Sequence, residues 1–137
     1  MADDEQFVDQ VEAVAEADGR YHKAAYLFLY EALRHTVERT AKAEVPRDQK
    51  HVSGRDLLRG ISEYGLEQFG PLTRSVFAHW GIHQTSDFGH MVFNLVEARL
   101  MSKSPQDCIE DFLGGYDFAE EFAWKKRKAQ FRRQPAN

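Results

Sequence analysis

The sequence predicts an all-α fold, a compact single-domain bundle of six or seven short helices. Three observations predict it. Apolar residues recur at spacings of three and four along most of the chain, the period of one helix face. Alternation of the strand type is nearly absent. The interruptions carry helix-terminus chemistry, with glycine after apolar stretches and Ser, Asp or Pro before them. A chain of 137 residues is expected to form one domain, and it buries enough surface to fold without a metal or a disulfide.

The first helix is expected from about Asp3 to Ala17, with Phe7, Val8, Val11, Val14 and Ala15 on one stripe and an acidic first turn that suits the helix dipole. Asp18-Gly19 ends it. A second helix, about Tyr21 to Lys42, carries Tyr26, Leu29, Tyr30, Leu33 and Val37 inward, with Leu27, Phe28 and Ala32 widening the face. The polar segment AEVPRDQKH, broken by Pro46, is a loop. Ser53 then opens a third helix, with Asp56 three residues on in a capping-box-like start. That helix buries Leu57, Leu58, Ile61 and Tyr64 and closes at Phe69-Gly70.

Pro71 stands at the first position of a fourth helix, which presents Leu72, Val76, Phe77 and Trp80 and stops at Gly81. Thr85, Ser86 or Asp87 caps the fifth, where Phe88, Met91, Val92, Leu95 and Val96 form the apolar stripe. Phe93 and Leu100 add apolar area off that stripe. Helices two and five, with the broadest apolar faces, are expected at the centre. Ser104-Pro105-Gln106-Asp107 starts a sixth helix that ends at Gly114-Gly115, and Asp117 caps a seventh. The helical domain spans 1–124. Residues 125–137 form a basic tail, expected to be partly disordered.

Charge divides the chain more sharply than its total of −4 suggests. All 22 acids and 12 of the 18 bases lie in residues 1–124, a balance of −10, while residues 125–137 hold the other six bases and no acid, +6. The lone Cys108 excludes an intramolecular disulfide. Cys108 lies inside the acidic run QDCIEDF, which opposes a reactive thiolate. The acidic start MADDEQ lacks the basic region of a signal peptide, and the longest apolar run, AAYLFLY, is far too short for a membrane span. A cytoplasmic protein with no membrane partner is therefore expected.

Asp87-Phe88-Gly89 and Arg55-Asp56-Leu57 echo two kinase motifs. A glycine-rich phosphate loop, a strand-borne Lys and an Asn metal ligand do not accompany them in order, so the kinase reading fails. Asp87 reads as a cap and Phe88 as a core anchor. On one unbroken helix, His79, His83, Asp87 and His90 would fall within about 80° of one another, a credible metal face. Gly81 breaks that helix, so these four are weak metal candidates and neither metal nor cofactor is expected. A polar stripe, His90, Asn94 and Glu97, aligns at i, i+4 and i+7 on the fifth helix as a candidate binding pocket or hydrogen-bond network. No Ser/His/Asp arrangement, catalytic carboxylate pair or phosphate loop is visible, so no catalytic residue is assigned.

Helices three and four, joined through Phe69-Gly70-Pro71, have the outline of a helix-turn-helix, but the acidic body lacks a basic footprint. The tail KKRKAQFRR differs. Lys125, Lys126, Arg127, Lys128, Arg132 and Arg133, with Phe131 between them, form a candidate grip for RNA or DNA. Alternatively the tail folds back on the acidic first helix or extends the last one.

The segments HVSGRDLLRGI, EQFGPL, HWGI and DFGHMVFNLVE, followed by the pairs Asp111-Phe112 and Asp117-Phe118, appear here in that order. Over roughly residues 21–122 this set resembles a conserved hypothetical family of small bacterial proteins typified by planctomycetes and verrucomicrobia. The resemblance implies no activity, cofactor or catalytic residue, because none is established for that family. The matching positions, such as Ser53, Gly54, Gly70, Pro71, Gly81, Asp87 and Gly89, are mostly caps, glycines and apolar anchors. Neither the three histidines nor the basic tail belongs to the shared pattern. The function expected first is a non-enzymatic adaptor that binds another protein. A nucleic-acid-associated protein using the tail comes second, and a small metal-binding protein third.

Overall fold

Where capping chemistry is local, the chain obeys it closely. A computed structural model describes residues 2–42, 52–102 and 109–123, and among them it is all-α. Helix α1 is Ala2–Asp18, α2 Lys23–Lys42, α3 Gly54–Phe69, α4 Thr73–His79, α5 Thr85–Glu97 and α6 Phe118–Glu121. Two 3-10 turns, Gly70–Leu72 and Ile109–Phe112, complete the order. No described helix is long and apolar enough to cross a membrane.

Gly19 leaves α1 at φ +79°, a left-handed conformation that suits glycine. Ser53 and Asp56 form a reciprocal capping box: Ser53 Oγ accepts the Asp56 amide and Asp56 Oδ2 accepts the Ser53 amide, each at 3.1 Å. Ser53→Ala is expected to destabilise the fold by about 1 kcal/mol, read from the urea midpoint at unchanged m-value. An unshifted midpoint would show that the cap carries no weight.

The stretch between α4 and α5 turns sharply. Gly81 has φ +91°, and a Cβ there would lie 2.3 Å from the carbonyl oxygen of Arg20. The α1–α2 connection thus passes directly over this turn, and the His22 amide donates to Trp80 O at 3.1 Å. The start of α5 differs in detail from expectation. Gln84 is its N-cap residue, and Asp87 supplies the capping carboxylate from the third helical position, accepting the amides of His83 at 2.8 Å and Gln84 at 3.1 Å. Thr85 is engaged elsewhere: its hydroxyl donates to Phe112 O and accepts the Gly115 amide at 3.1 Å.

That contact marks the end of the sixth element. The start of the expected helix, Ser104 to Asp107, and Cys108 lie outside the described residues. The described part is the 3-10 turn Ile109–Phe112, whose last carbonyl is taken by Thr85 just before Gly114 turns at φ +60°. The seventh helix is a single turn, α6, capped as expected by Asp117, whose carboxylate accepts the Glu120 amide at 3.2 Å. The basic tail is outside the described residues.

The centre of the bundle lies elsewhere than the breadth of the apolar faces implies. Helix α3 touches α2, α4, α5 and both 3-10 turns, whereas α2 packs chiefly on α1 and α3. Glycines at the contacts of α3 permit this. A Cβ on Gly60 would sit 1.7 Å from Thr36 Oγ1 of α2, and one on Gly65 3.1 Å from both Phe77 Cζ and Thr73 Cγ2. Phe77, fully buried, is surrounded by Phe28, Trp80, Phe88, Phe118 and Phe122. Three residues read as inward are exposed: Val8 on α1, Val37 on α2 and Leu72. Leu72 points out because it belongs to the 3-10 turn and is out of phase with α4.

Candidate functional site

One break in the apolar packing is a groove bounded by α2, the start of α3, α5 and the second 3-10 turn. Leu33 and Val37, one turn apart on α2, make one wall. Val92 of α5 and Met101 make the other, with Val52 and Ser53 at one end and Ser102 nearby. Leu57 and Phe112 are buried and form the floor. The cavity measures about 330 Å³ and is open to solvent, the lower end of the range that binds ligands. Two glycines shape the floor. A Cβ on Gly54 would meet Asp111 Cβ at 2.8 Å, and one on Gly89 would meet Phe112 Cβ at 2.9 Å, so Phe112 is seated deeply between α3 and α5.

The groove's lining residues include no acid–base pair to activate a nucleophile. The groove offers apolar contact with two serine hydroxyls at the edge, chemistry suited to binding. Sequence reasoning missed it, although Leu33 and Val37 stood in plain view on the apolar stripe of the second helix. The available signal was the excess breadth of that stripe: α2 has more apolar face than its described neighbours cover, and Val37 remains 48% exposed.

The polar stripe on α5 is brought together only in part. Asn94 and Glu97 line a shallow depression of about 410 Å³ with Val14, Ala17, Asp18 and Ala98, and His90 is not among its lining residues. Asn94 is a structural link. Its Nδ2 donates to the Tyr26 hydroxyl at 3.0 Å, and its amide helps hold the Asp18 carboxyl low. Arg20 is the main reason that carboxyl is held below the usual range, through contacts of 2.9 to 3.1 Å, with a smaller contribution from Asn94. Burial pushes the Tyr26 phenol up, against the opposing effect of Asn94. Glu97 is exposed.

The four weak metal candidates do not assemble. His79 and His83 are exposed, and His90 is half-buried. Asp87 is committed: besides the two amides it accepts the Tyr21 hydroxyl at 2.7 Å. Burial, and then this hydrogen bond, raise the Tyr21 phenol far above its ordinary range. Among the described residues no group of three or more His, Cys, Asp or Glu side chains is placed to hold a metal ion. Lys125, Lys126, Arg127, Lys128, Arg132 and Arg133 lie outside the described residues.

No known family model matches the chain, and neither a curated protein nor a solved structure matches it.

Proposed function

We propose that the protein is a non-enzymatic binding module that seats an amphipathic helix of a partner protein in the groove between α2, α3 and α5. The observation that carries this reading is the groove itself: apolar walls, a buried aromatic floor, and Val37 left 48% exposed where α2 has no neighbour among the described residues. Such a channel takes the i, i+3, i+4 apolar anchors of a helix, and Met101 lets the wall adapt to different side chains. The body of the chain, at −10 over residues 1–124, selects a partner helix with basic flanks. Membership of the small-protein family that the sequence resembles belongs to the same proposal and adds no activity to it.

The test compares proteins retained after nuclease treatment by the wild-type chain, Val37→Asp and Val8→Asp. Both valines are exposed, so neither change is expected to unfold the bundle. One discrete protein is expected on the wild type and on Val8→Asp, with its affinity for Val37→Asp lowered at least about tenfold. Equal retention by Val37→Asp, or no protein surviving nuclease, would overturn the reading.

A second reading rests on the +6 balance of residues 125–137: an RNA- or DNA-associated protein gripping phosphates with the tail. It expects nucleic-acid retention that falls steeply with salt and disappears when residues 125–137 are removed. The same salt profile in the truncated chain would reject it.

A further inference from the structure

Asp18-Gly19, at the end of α1, is the one Asp–Gly pair in the chain, and the sequence holds no Asn–Gly pair. Such a pair is chemically labile, because a glycine without a side chain lets its backbone nitrogen reach the preceding side-chain carboxyl carbon. The nitrogen attacks that carbon, its N–H proton and the carboxyl hydroxyl leave together as water, and a five-membered succinimide closes. Water then adds to either ring carbonyl. One opening restores aspartate; the other gives isoaspartate, in which the main chain runs through Cγ and is one carbon longer. Closure needs a neutral carboxyl, since a carboxylate is a poor electrophile, and an amide nitrogen free to move.

Both requirements are opposed in the fold. Arg20 grips the Asp18 carboxylate through Nε, 3.1 Å from Oδ1 and 3.0 Å from Oδ2, and through Nη2, 2.9 Å from Oδ1. The Arg20 amide donates to Oδ2 as well, at 3.2 Å. These bonds favour the ionised form, and the guanidinium is the main reason the carboxyl is held below its ordinary range. The Gly19 amide is committed to Ala15 O at 2.9 Å.

We infer that Asp18-Gly19 is a modification site of this protein, an isoaspartate-forming site that Arg20 keeps closed while α1 is docked. The product has a structural consequence, because the chain just beyond the site is fixed. Arg20 O lies against Gly81, the His22 amide donates to Trp80 O at 3.1 Å, and buried Tyr21 is bonded to Asp87. An extra main-chain carbon at position 18 has no slack there to absorb it and displaces α1 instead. The hold of α1 on the bundle includes buried Val11 and Ala15 and the Phe7–Tyr30 ring pair, so the modification is a slow covalent loosening of the first helix. The site is separate from the proposed partner groove, and its test does not depend on that reading.

The experiment ages the full chain in warm neutral buffer and follows the proteolytic peptide that contains Asp18, in which isoaspartate separates from aspartate by chromatography at identical mass. Arg20→Gln is expected to raise the isomerisation rate at least about threefold, the scale of a half-exposed ion pair. Lys23→Gln removes the ion pair with Glu12 of α1, at 3.7 Å, without touching Asp18, and is expected to age as the wild type does. The wild-type chain unfolded in urea is expected to isomerise faster than the folded chain. Amide exchange at Val11 and Ala15, read on the Arg20→Gln samples, is expected to quicken only as isoaspartate accumulates. Equal rates in Arg20→Gln and the wild type would overturn the inference, as would equal acceleration by Lys23→Gln or an unchanged rate on unfolding. Exchange that quickens in Arg20→Gln before isoaspartate forms would overturn it too, because Arg20 would then act by holding the helix and not the carboxyl.

Discussion

Phe77→Ala is expected to cost about 3–5 kcal/mol, a large part of the stability of a domain this size, and to lower the thermal midpoint by about 10–20 °C. Phe77 has no exposed surface, and its ring centroid lies 5.4 Å from those of Phe28, Phe88 and Phe122 and 5.9 Å from that of Phe118. These partners come from α2, α5 and the last turn of the described chain, so one ring joins segments far apart in sequence. Removing it leaves a cavity whose walls are themselves large rings, poorly able to collapse inward, and that places the loss in the upper part of the usual range. It also unseats Phe118 and Phe122, whose single-turn helix has little hydrogen bonding of its own to hold it. Urea unfolding monitored by far-UV circular dichroism measures the loss. Phe77→Leu, which keeps most of the volume, is expected to lose about half as much or less. A loss below about 1 kcal/mol for Phe77→Ala would show that the aromatic cluster is not the centre of the core.

Features written within four or five residues were legible in the sequence; those that join distant segments were not. Ser53 with Asp56, Asp18-Gly19, Gly81 and Asp117 could be read because a cap is a contact between near neighbours, and each terminates or starts a helix as expected. Asp87 was legible as a cap, but not as the acceptor for Tyr21, 66 residues away. Thr85 shows the limit most clearly. Its type and position suit an N-cap, yet its hydroxyl serves Phe112 and Gly115, 27 and 30 residues further on. That pairing holds the end of the described 3-10 turn Ile109–Phe112 against the start of α5, a contact that no local pattern contains.

The same distinction separates the candidate sites. The α5 stripe of His90, Asn94 and Glu97 was found from spacing alone, and spacing places Asn94 and Glu97 on one depression. Whether a polar residue is occupied depends on the opposite helix: Tyr26 of α2 claims Asn94. The groove has the converse character. Its residues are those of an ordinary core stripe, and periodicity cannot distinguish an apolar face that is covered from one that is left open. Leu33 and Val37 share a face with Tyr30 and Leu29; only the absence of a described neighbour over Val37 makes that face a wall.

Gly60→Ala is the other change expected to have a large effect, and its sign runs against helix propensity. In an exposed helix interior, alanine for glycine stabilises by about 1 kcal/mol. Gly60 is at the α2–α3 contact, where a Cβ would lie 1.7 Å from Thr36 Oγ1 and 3.0 Å from Thr36 Cβ. Thr36 has no exposed surface, and its hydroxyl donates to Ala32 O at 2.7 Å. Rotating Thr36 away breaks that hydrogen bond and drives its methyl group toward the same space, since a β-branched side chain has few helical rotamers. The two helices must therefore separate. The net expectation is a loss of about 1–3 kcal/mol. Combining the change with Thr36→Ala, which removes the obstructing atoms, is expected to recover most of it, because alanines then face each other at the contact. A double-mutant cycle on urea midpoints should give a coupling of about 1–3 kcal/mol between positions 36 and 60. Were Gly60→Ala stabilising alone, or additive with Thr36→Ala, α2 and α3 would not be in close contact there. Position 60 would then be an ordinary helix site, and the central place of α3 would rest on its side chains alone.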